Sequence, residues 1–363
     1  MSKLLETFPC ELKCKGGNIT YFIQINRTEY HMPQKATARA HANIAFIKYW
    51  GNRNEDLRLP ENSSLSMNLD GLFTETTVIW DDTQLVDQLI LNGQSQEGQP
   101  FLRVAKHLKE LRQYVPSLPQ HATVISRNNF PMGAGIASSA SSFAALTVAA
   151  IGAAGITLPE HELSSLARLG SGSASRSIPT GFAEWHQGED HESSYAESIA
   201  SPDHWDLVDV IVVVSDSHKK VGSTEGHQSA HTSDLQPGRL MHVNERLEVC
   251  KSALLNRDFL TFAEVVEEDS NLMHSVMMTS RPPLFYWQPA SIGVMQEVKH
   301  WRKEGLQVCY TLDAGPNVHC ICIRKDVPQV IDRLKTLSGI LDIRVAGAGS
   351  GAHLIKVEDV NSQ

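Results

Sequence analysis

Strand-like and helix-like segments are interspersed along this chain, which predicts a two-lobed protein of the α+β or α/β class. With 363 residues, 41% of them hydrophobic, the chain exceeds the roughly 100–200 residues that one core usually serves. It shows neither internal repeats nor a low-complexity linker. Residues 1–35 read differently from the rest, with one alternating stretch at 19–25 that adds a strand; the denser pattern starts at Thr37. An apolar run at 42–51 is interrupted by Asn43, Lys48 and Tyr49. Val, Ile, Thr and aromatic residues predict strands over 73–80, 207–214, 306–312 and 318–324, and 122–126 is strand-like. Alanine predicts a helix over 138–154. The stretch 160–169 puts Leu163, Leu166 and Ala167 on one helical face. A last helix, 327–337, carries Val330, Ile331, Leu334 and Leu337 on one stripe, with Asp326 as its expected cap and Pro328 in its first turn.

Bulk properties exclude several functions. No run reaches the ~18 apolar residues of a membrane span, and the start, MSKLLETFPCELK, lacks the pattern of a secretory signal. A cytoplasmic protein without membrane contact is expected. The net charge of −9 argues against nucleic acid, which needs a broad basic face, but leaves room for a small anionic substrate in one cleft. The six cysteines read as free core thiols; Cys320 and Cys322 alternate with Ile321 and Ile323 as on a buried strand. None of the 16 histidines forms HExxH or a comparable ligand pair.

Four segments carry chemistry. In NFPMGAGIASSAS (129–141), small residues between a strand and a helix let a backbone approach a polyphosphate, with helix amides and serine hydroxyls aimed at its oxygens or at Mg²⁺. Tight packing of a small-residue helix on a sheet is the alternative, and no Walker GK[ST] follows. RLGSGSASRS (168–177) clusters hydroxyl and amide donors around Arg176, whose planar fork suits a carboxylate or phosphate; a serine-capped loop would look similar. In YTLDAGPN (310–317) a strand runs into Asp313, either a turn former or a catalytic carboxylate. Lys48, inside an apolar run, needs an anionic partner, which is Asp313 or the substrate.

Together these segments closely resemble the mevalonate diphosphate decarboxylases of the GHMP kinase superfamily. NIAFIKYWG, PMGAGIASSAS, GSGSASRS and DAGPN occur in that family's order and spacing, with SHKKVGS (217–223) and TSRPP (279–283) beside them. The resemblance covers nearly the whole chain, from about Ala36 to Gly351. It implies an α+β, GHMP-kinase-like fold with the active site in the cleft between lobes. An N-terminal ATP-binding lobe of the ribosomal S5 domain-2 type would span 36–200 and a ferredoxin-like lobe 201–363, behind an extension, 1–35, of unknown role. It implies ATP and Mg²⁺ as cofactors and a homodimer. Gly133, Gly135, Ala137, Ser138, Ser139 and Ser141 would bind ATP, with Ser139 near the metal. Asp313, Lys48 and Arg176 would be catalytic: Asp313 beside the tertiary 3-hydroxyl, Lys48 holding Asp313 ionised, Arg176 on the carboxylate. Asn43, Tyr49, Asn52, Ser171, Ser173, Ser223 and Thr224 would line the substrate site, with Ser171 and Ser173 on the distal phosphate.

Two positions depart from the family pattern. Asn52 stands where typical members have a lysine, and Thr224 where they have an arginine, both serving the diphosphate. Each charged hydrogen bond is worth about 1.5–3 kcal/mol, so these losses predict the shorter tail of mevalonate 5-phosphate, with isopentenyl phosphate as product. The alternative is mevalonate 5-diphosphate giving isopentenyl diphosphate, with Arg53 swinging in as the replacement cation. A mevalonate 3-kinase and a non-catalytic metabolite-binding relative are the remaining rivals.

Overall fold

The computed structural model describes residues 6–14, 17–25, 35–130, 138–215 and 222–358. Strands β1 (Glu6–Cys14) and β2 (Gly17–Ile25) form an antiparallel hairpin separate from both main sheets.

The larger, eight-stranded sheet is organised by two long strands, β3 (Lys35–Ile47) and β4 (Ser64–Trp80), paired antiparallel. The expected strand at 73–80 is only the second half of β4. Exposed Asp70 and Gly71, the latter at φ +81°, break the apolar pattern without breaking the strand. Beyond β4 come β5 (Gln88–Leu91), helix α1 (Gln99–Tyr114), β6 (Ala122–Asn128), α2 (Ser138–Ala153) and α3 (Glu160–Gly170). Next are β7 (Phe182–Trp185) and β8 (Ala196–Ala200). The edge of β4 away from β3 pairs with β7 along its first half and with β6 along its second. Helix α2 is buried along most of its length because alanines let it lie close across β3 and β4.

The smaller sheet begins with β9 (Leu207–Val213). It is followed by α4 (Ser223–Ser229), α5 (Val243–Asn256), α6 (Phe259–Thr279), whose Asp258 caps the Thr261 amide, and α7 (Pro289–Lys303). Then come β10 (Val308–Thr311), β11 (Val318–Ile323), α8 (Val327–Leu334) and β12 (Asp342–Gly347). The strand order is β10-β11-β9-β12, antiparallel throughout. Cys320 and Cys322 are buried free thiols, as expected. The Asp326 side chain does not cap α8; it accepts the Gln307 amide at 2.8 Å and ties the strand entry to the helix entry instead.

Two features join the halves. The last strand, β13 (His353–Glu358), returns to pair with β3, so the chain's end belongs to the first sheet. One apolar core then runs from Ile44, Phe46 and Met67 to Phe262 and Val266 of α6 and to Cys309 and Ile321. The C-terminal end of β3 is thereby pressed against the C-terminal half, and that contact creates the site.

Candidate active site

Strand β3 stops at Ile47 and releases Lys48, Tyr49 and Trp50 into the junction. The Lys48 amide donates to Asp269 Oδ2 at 2.6 Å, and its carbonyl accepts from Asn62 Nδ2 at 2.9 Å and Arg239 Nη2 at 2.7 Å. Arg246 Nε holds Asp269 from behind at 3.0 Å. With its backbone fixed, the Lys48 side chain, 1% exposed, extends to Asp313 and donates to Oδ1 at 2.7 Å. The Asp313 side chain remains 26% exposed, so the pair is sealed on the lysine side and open on the carboxylate side. Burial alone would raise the Asp313 pKa. The charge of Lys48, then His319, the Lys48 hydrogen bond and Arg176 more than offset it and hold the carboxyl below its ordinary value.

Arg176 lies on the 3₁₀ turn Gly172–Ser177 and is almost fully buried. Its Nη1 donates to Ser64 Oγ at 2.8 Å and its Nε to Asn43 Oδ1 at 3.3 Å, while its guanidinium sits 5.8 Å from the Trp185 ring centre. Among the described residues no carboxylate reaches ion-pair distance of it, so its charge is available to a ligand. Burial pulls its pKa down to about 10, with Asp313 and then Tyr49 acting against the shift, and it stays charged at neutral pH. Asn43 is expected to touch substrate; here it is occupied, orienting Arg176 and donating to the Ser173 carbonyl (3.1 Å) and Ser177 Oγ (2.8 Å).

Tyr49 is boxed between the Trp185 edge, at 4.7 Å, and the His227 ring, stacked at 4.0 Å. A Cβ on Gly172 would come within 2.7 Å of the tyrosine ring, so only glycine lets the serine-rich turn approach it. The Tyr49 hydroxyl donates to Asn52 Oδ1, and burial raises its pKa well above the ordinary phenol value. Asn52 Nδ2 donates in turn to Glu55 at 3.0 Å. Arg53 turns outward to Glu189 (3.3 Å) and the carbonyls of Gln187 and Gly188, not toward Asn52. Ser171 Oγ lies 3.2 Å from Ser139 Oγ and 3.4 Å from Ser173 Oγ, which places the two serine-rich segments side by side.

Gly133, Gly135 and Ala137 lie outside the described residues, as does most of the 217–223 segment. Ser223 and Thr224 begin α4, and their side chains are also outside what is described. Ser138 and Ser139 open onto a cavity of about 300 Å³, whose other walls include Leu89, Leu91, Arg103, Val124, Phe143 and Leu146. Ser141 does not belong with them. It is sealed in the core, 2.7 Å from Thr74 Oγ1 and donating to the Ser138 carbonyl at 3.2 Å. One residue along a helix is a 100° rotation, and it is Ser142 that lines the cavity.

Sequence reasoning missed two histidines. His227 follows Ser223 by one helical turn, the sole hint of its place. Its Nδ1 accepts the Gly51 amide at 3.1 Å, and burial, then the charges of Arg58, Arg239 and Arg176, bring its pKa to about 3. His274 of α6 is buried beside the Lys48–Asp313 pair, tilted on Trp287 at 5.1 Å; burial and then Lys48 bring its pKa to about 3 as well.

Comparison with known proteins finds relatives along most of the chain. The diphosphomevalonate decarboxylase-like N-terminal domain family matches residues 40–196, and the mevalonate 5-diphosphate decarboxylase C-terminal domain family matches 209–348. The diphosphomevalonate decarboxylase of Aspergillus fumigatus is 41% identical over 335 residues, 86% of this chain and 82% of that protein. The crystal structure of mevalonate diphosphate decarboxylase from Staphylococcus aureus superposes with a TM-score of 0.84 at 38% identity, covering 89% of this chain and 98% of the other. A second structure, of a protein in complex with MVAPP, AMPPCP and magnesium, gives 0.84 at 38% identity over 89% and 99%.

Proposed function

The chain belongs to the diphosphomevalonate decarboxylase family, and we propose that it uses ATP to phosphorylate the tertiary 3-hydroxyl of a 5-phosphorylated mevalonate, then releases phosphate and carbon dioxide to leave an alkene. The observation that carries this reading is the Lys48–Asp313 pair, open to solvent on its carboxylate side, with Arg176 in ion-pair distance of no carboxylate among the described residues.

A tertiary alcohol is a poor nucleophile and a poorer leaving group, so the chemistry needs two aids. Asp313, held ionised by Lys48, accepts or orients the hydroxyl proton as the oxygen attacks phosphorus; such help is typically worth ~10²–10⁴-fold. When the new phosphate departs, positive charge develops at the tertiary carbon, and the same carboxylate stabilises it. Arg176 holds the substrate carboxylate until carbon dioxide is lost. The α+β, GHMP-like fold suits the task, because the two halves meet where β3 ends.

ATP fits the apolar cavity at the start of α2, with its phosphates toward Ser138, Ser139 and Ser142. Magnesium, when bound, neutralises charge on the transferring phosphoryl oxygens. An ion of this kind would take few protein ligands beside phosphate oxygens and water, and a hydroxyl would serve as one of them. Ser139 is the hydroxyl we assign to it.

For the substrate's tail, the relatives favour mevalonate 5-diphosphate, with isopentenyl diphosphate as product, over the monophosphate expected from Asn52 and Thr224. One observation keeps the monophosphate as a second reading. Asn52 is neutral and engaged with Tyr49 and Glu55, and Arg53 is turned to Glu189, so neither residue presents a free charge. The test gives the purified protein ATP and Mg²⁺ with mevalonate, its 5-phosphate or its 5-diphosphate, and follows ADP and carbon dioxide. Fastest turnover of the diphosphate, with one carbon dioxide per ADP, is expected. ADP without carbon dioxide would make the chain a kinase, and a higher kcat/KM for the monophosphate would overturn the diphosphate assignment.

A further inference from the structure

We propose that His227 is a specificity-determining residue that binds the substrate's 5-phosphoryl tail through a neutral Nε2–H donor. The inference rests on the reaction proposed above and adds a residue to its substrate site.

The argument starts from the tautomer. The Gly51 amide donates to His227 Nδ1 at 3.1 Å, so this nitrogen must present a lone pair, and the proton sits on Nε2. Gly51 is held at φ +98°, and its carbonyl accepts the Glu61 amide at 3.1 Å, so the peptide that fixes the tautomer is itself tethered. The ring plane is fixed as well, stacked on Tyr49 at 4.0 Å and tilted on Trp50 at 4.5 Å. Gly226 brings the helix close, since a Cβ there would meet the Trp50 ring at 2.5 Å.

Held in this way, Nε2–H has no hydrogen-bond partner among the described residues, and the residue is only partly buried. An oriented donor left to water in the free protein can exchange that water for a ligand acceptor without reorganising. The neighbouring groups indicate which one. Tyr49, the ring under His227, packs its hydroxyl end on the Ser171–Ser173 turn and bonds Asn52, where the resemblance places the tail. The acceptor is therefore a phosphoryl oxygen. With asparagine at position 52, this end of the cleft reads the tail partly through neutral donors.

Two substitutions separate the functions of the two ring nitrogens. Asparagine imitates Nδ1 and keeps an acceptor for the Gly51 amide, whereas glutamine can place an amide donor near Nε2. In the full chain, H227N is expected to raise KM for the phosphorylated mevalonate about 10–100-fold, the range for losing a hydrogen bond to a charged group. Its kcat should stay within about threefold and its KM for ATP should not change, because only uniform binding is removed. H227Q should recover most of the loss.

A merely structural role would move kcat, KM for ATP and thermal stability together, and H227F, which keeps the stack, would rescue it. Either that pattern or an unchanged substrate KM in H227N overturns the assignment while the wild type still turns over. If the wild type turns over no phosphorylated mevalonate, the underlying reaction fails and the assignment falls with it.

Discussion

The Lys48 ammonium donates to the Asp313 carboxylate at 2.7 Å, although 265 positions separate the two residues in the chain. β3 delivers the lysine and β10 the aspartate, and the core shared by the two sheets sets the distance between them. A pair buried on one side and open on the other holds a carboxylate ionised while leaving its free face to a reactant.

Removing the lysine should change the pH profile as well as the rate. In Lys48→Met, burial acts on Asp313 without its main opposing charge, so the carboxyl pKa rises. In the wild type the carboxyl titrates below its ordinary value and activity should be flat on its account above about pH 5. The variant should show an acidic limb displaced upward, and kcat at neutral pH reduced about 10²-fold or more. Rate measurements across pH 5–8 check both.

Arg176→Lys keeps the charge and loses the fork that reaches Ser64 and Asn43 together. At a site of this kind the exchange is not conservative. We expect kcat/KM for the substrate to fall about 10–100-fold, as for one or two charged hydrogen bonds, with KM for ATP unchanged. Steady-state kinetics with each substrate varied in turn provides the readout.

Leu91 lines the cavity at the start of α2. Leu91→Trp should fill part of it and raise KM for ATP about tenfold or more, equivalent to about 1.4 kcal/mol of lost binding. The substrate KM should be unaffected. Equal loss for both would mean that the nucleotide lies elsewhere.

His107, His227 and His274 all titrate at about 3 in the folded protein, burial being the largest cause for each. In the unfolded chain they titrate near the ordinary value of about 6.5. Their folded pKa is depressed, so the unfolded state binds more protons between these values and stability falls as pH drops from about 6.5 toward about 3. Each contributes a slope of at most about 1.4 kcal/mol per pH unit. His107 has no part in the proposed chemistry; its Nε2 lies 2.9 Å from Thr147 Oγ1 in the core beneath α1, behind the cavity wall residue Phe143. His107→Gln should flatten the pH dependence seen by urea denaturation at pH 5–6.5.

The sequence displayed the site's parts more clearly than their assembly. Lys48 stood out because a cation in an apolar run needs an anion, and Asp313 was one of the two partners expected for it. The helices at α2 and α3 were legible from their alanines and their apolar face. Less visible was what depends on distant pairing. Nothing in residues 353–358 signals that they join β3, and β4 hides its first half behind polar residues that face a packed neighbour. Ser141 and Ser142 differ by a helical rotation that a serine-rich string does not reveal. His227 and His274 owe their places to Gly51, Tyr49 and Trp287, partners far away in sequence.

The most direct test of the account is Asp313→Asn, which keeps shape and hydrogen-bonding capacity but removes the charge facing the reactant. Carbon dioxide release from the 5-phosphorylated mevalonate should fall by ~10²–10⁴-fold in kcat, while ATP binding measured by calorimetry stays as in the wild type. Release within about threefold of the wild type, well short of that range, would contradict the role given to this carboxylate and the mechanism built on it.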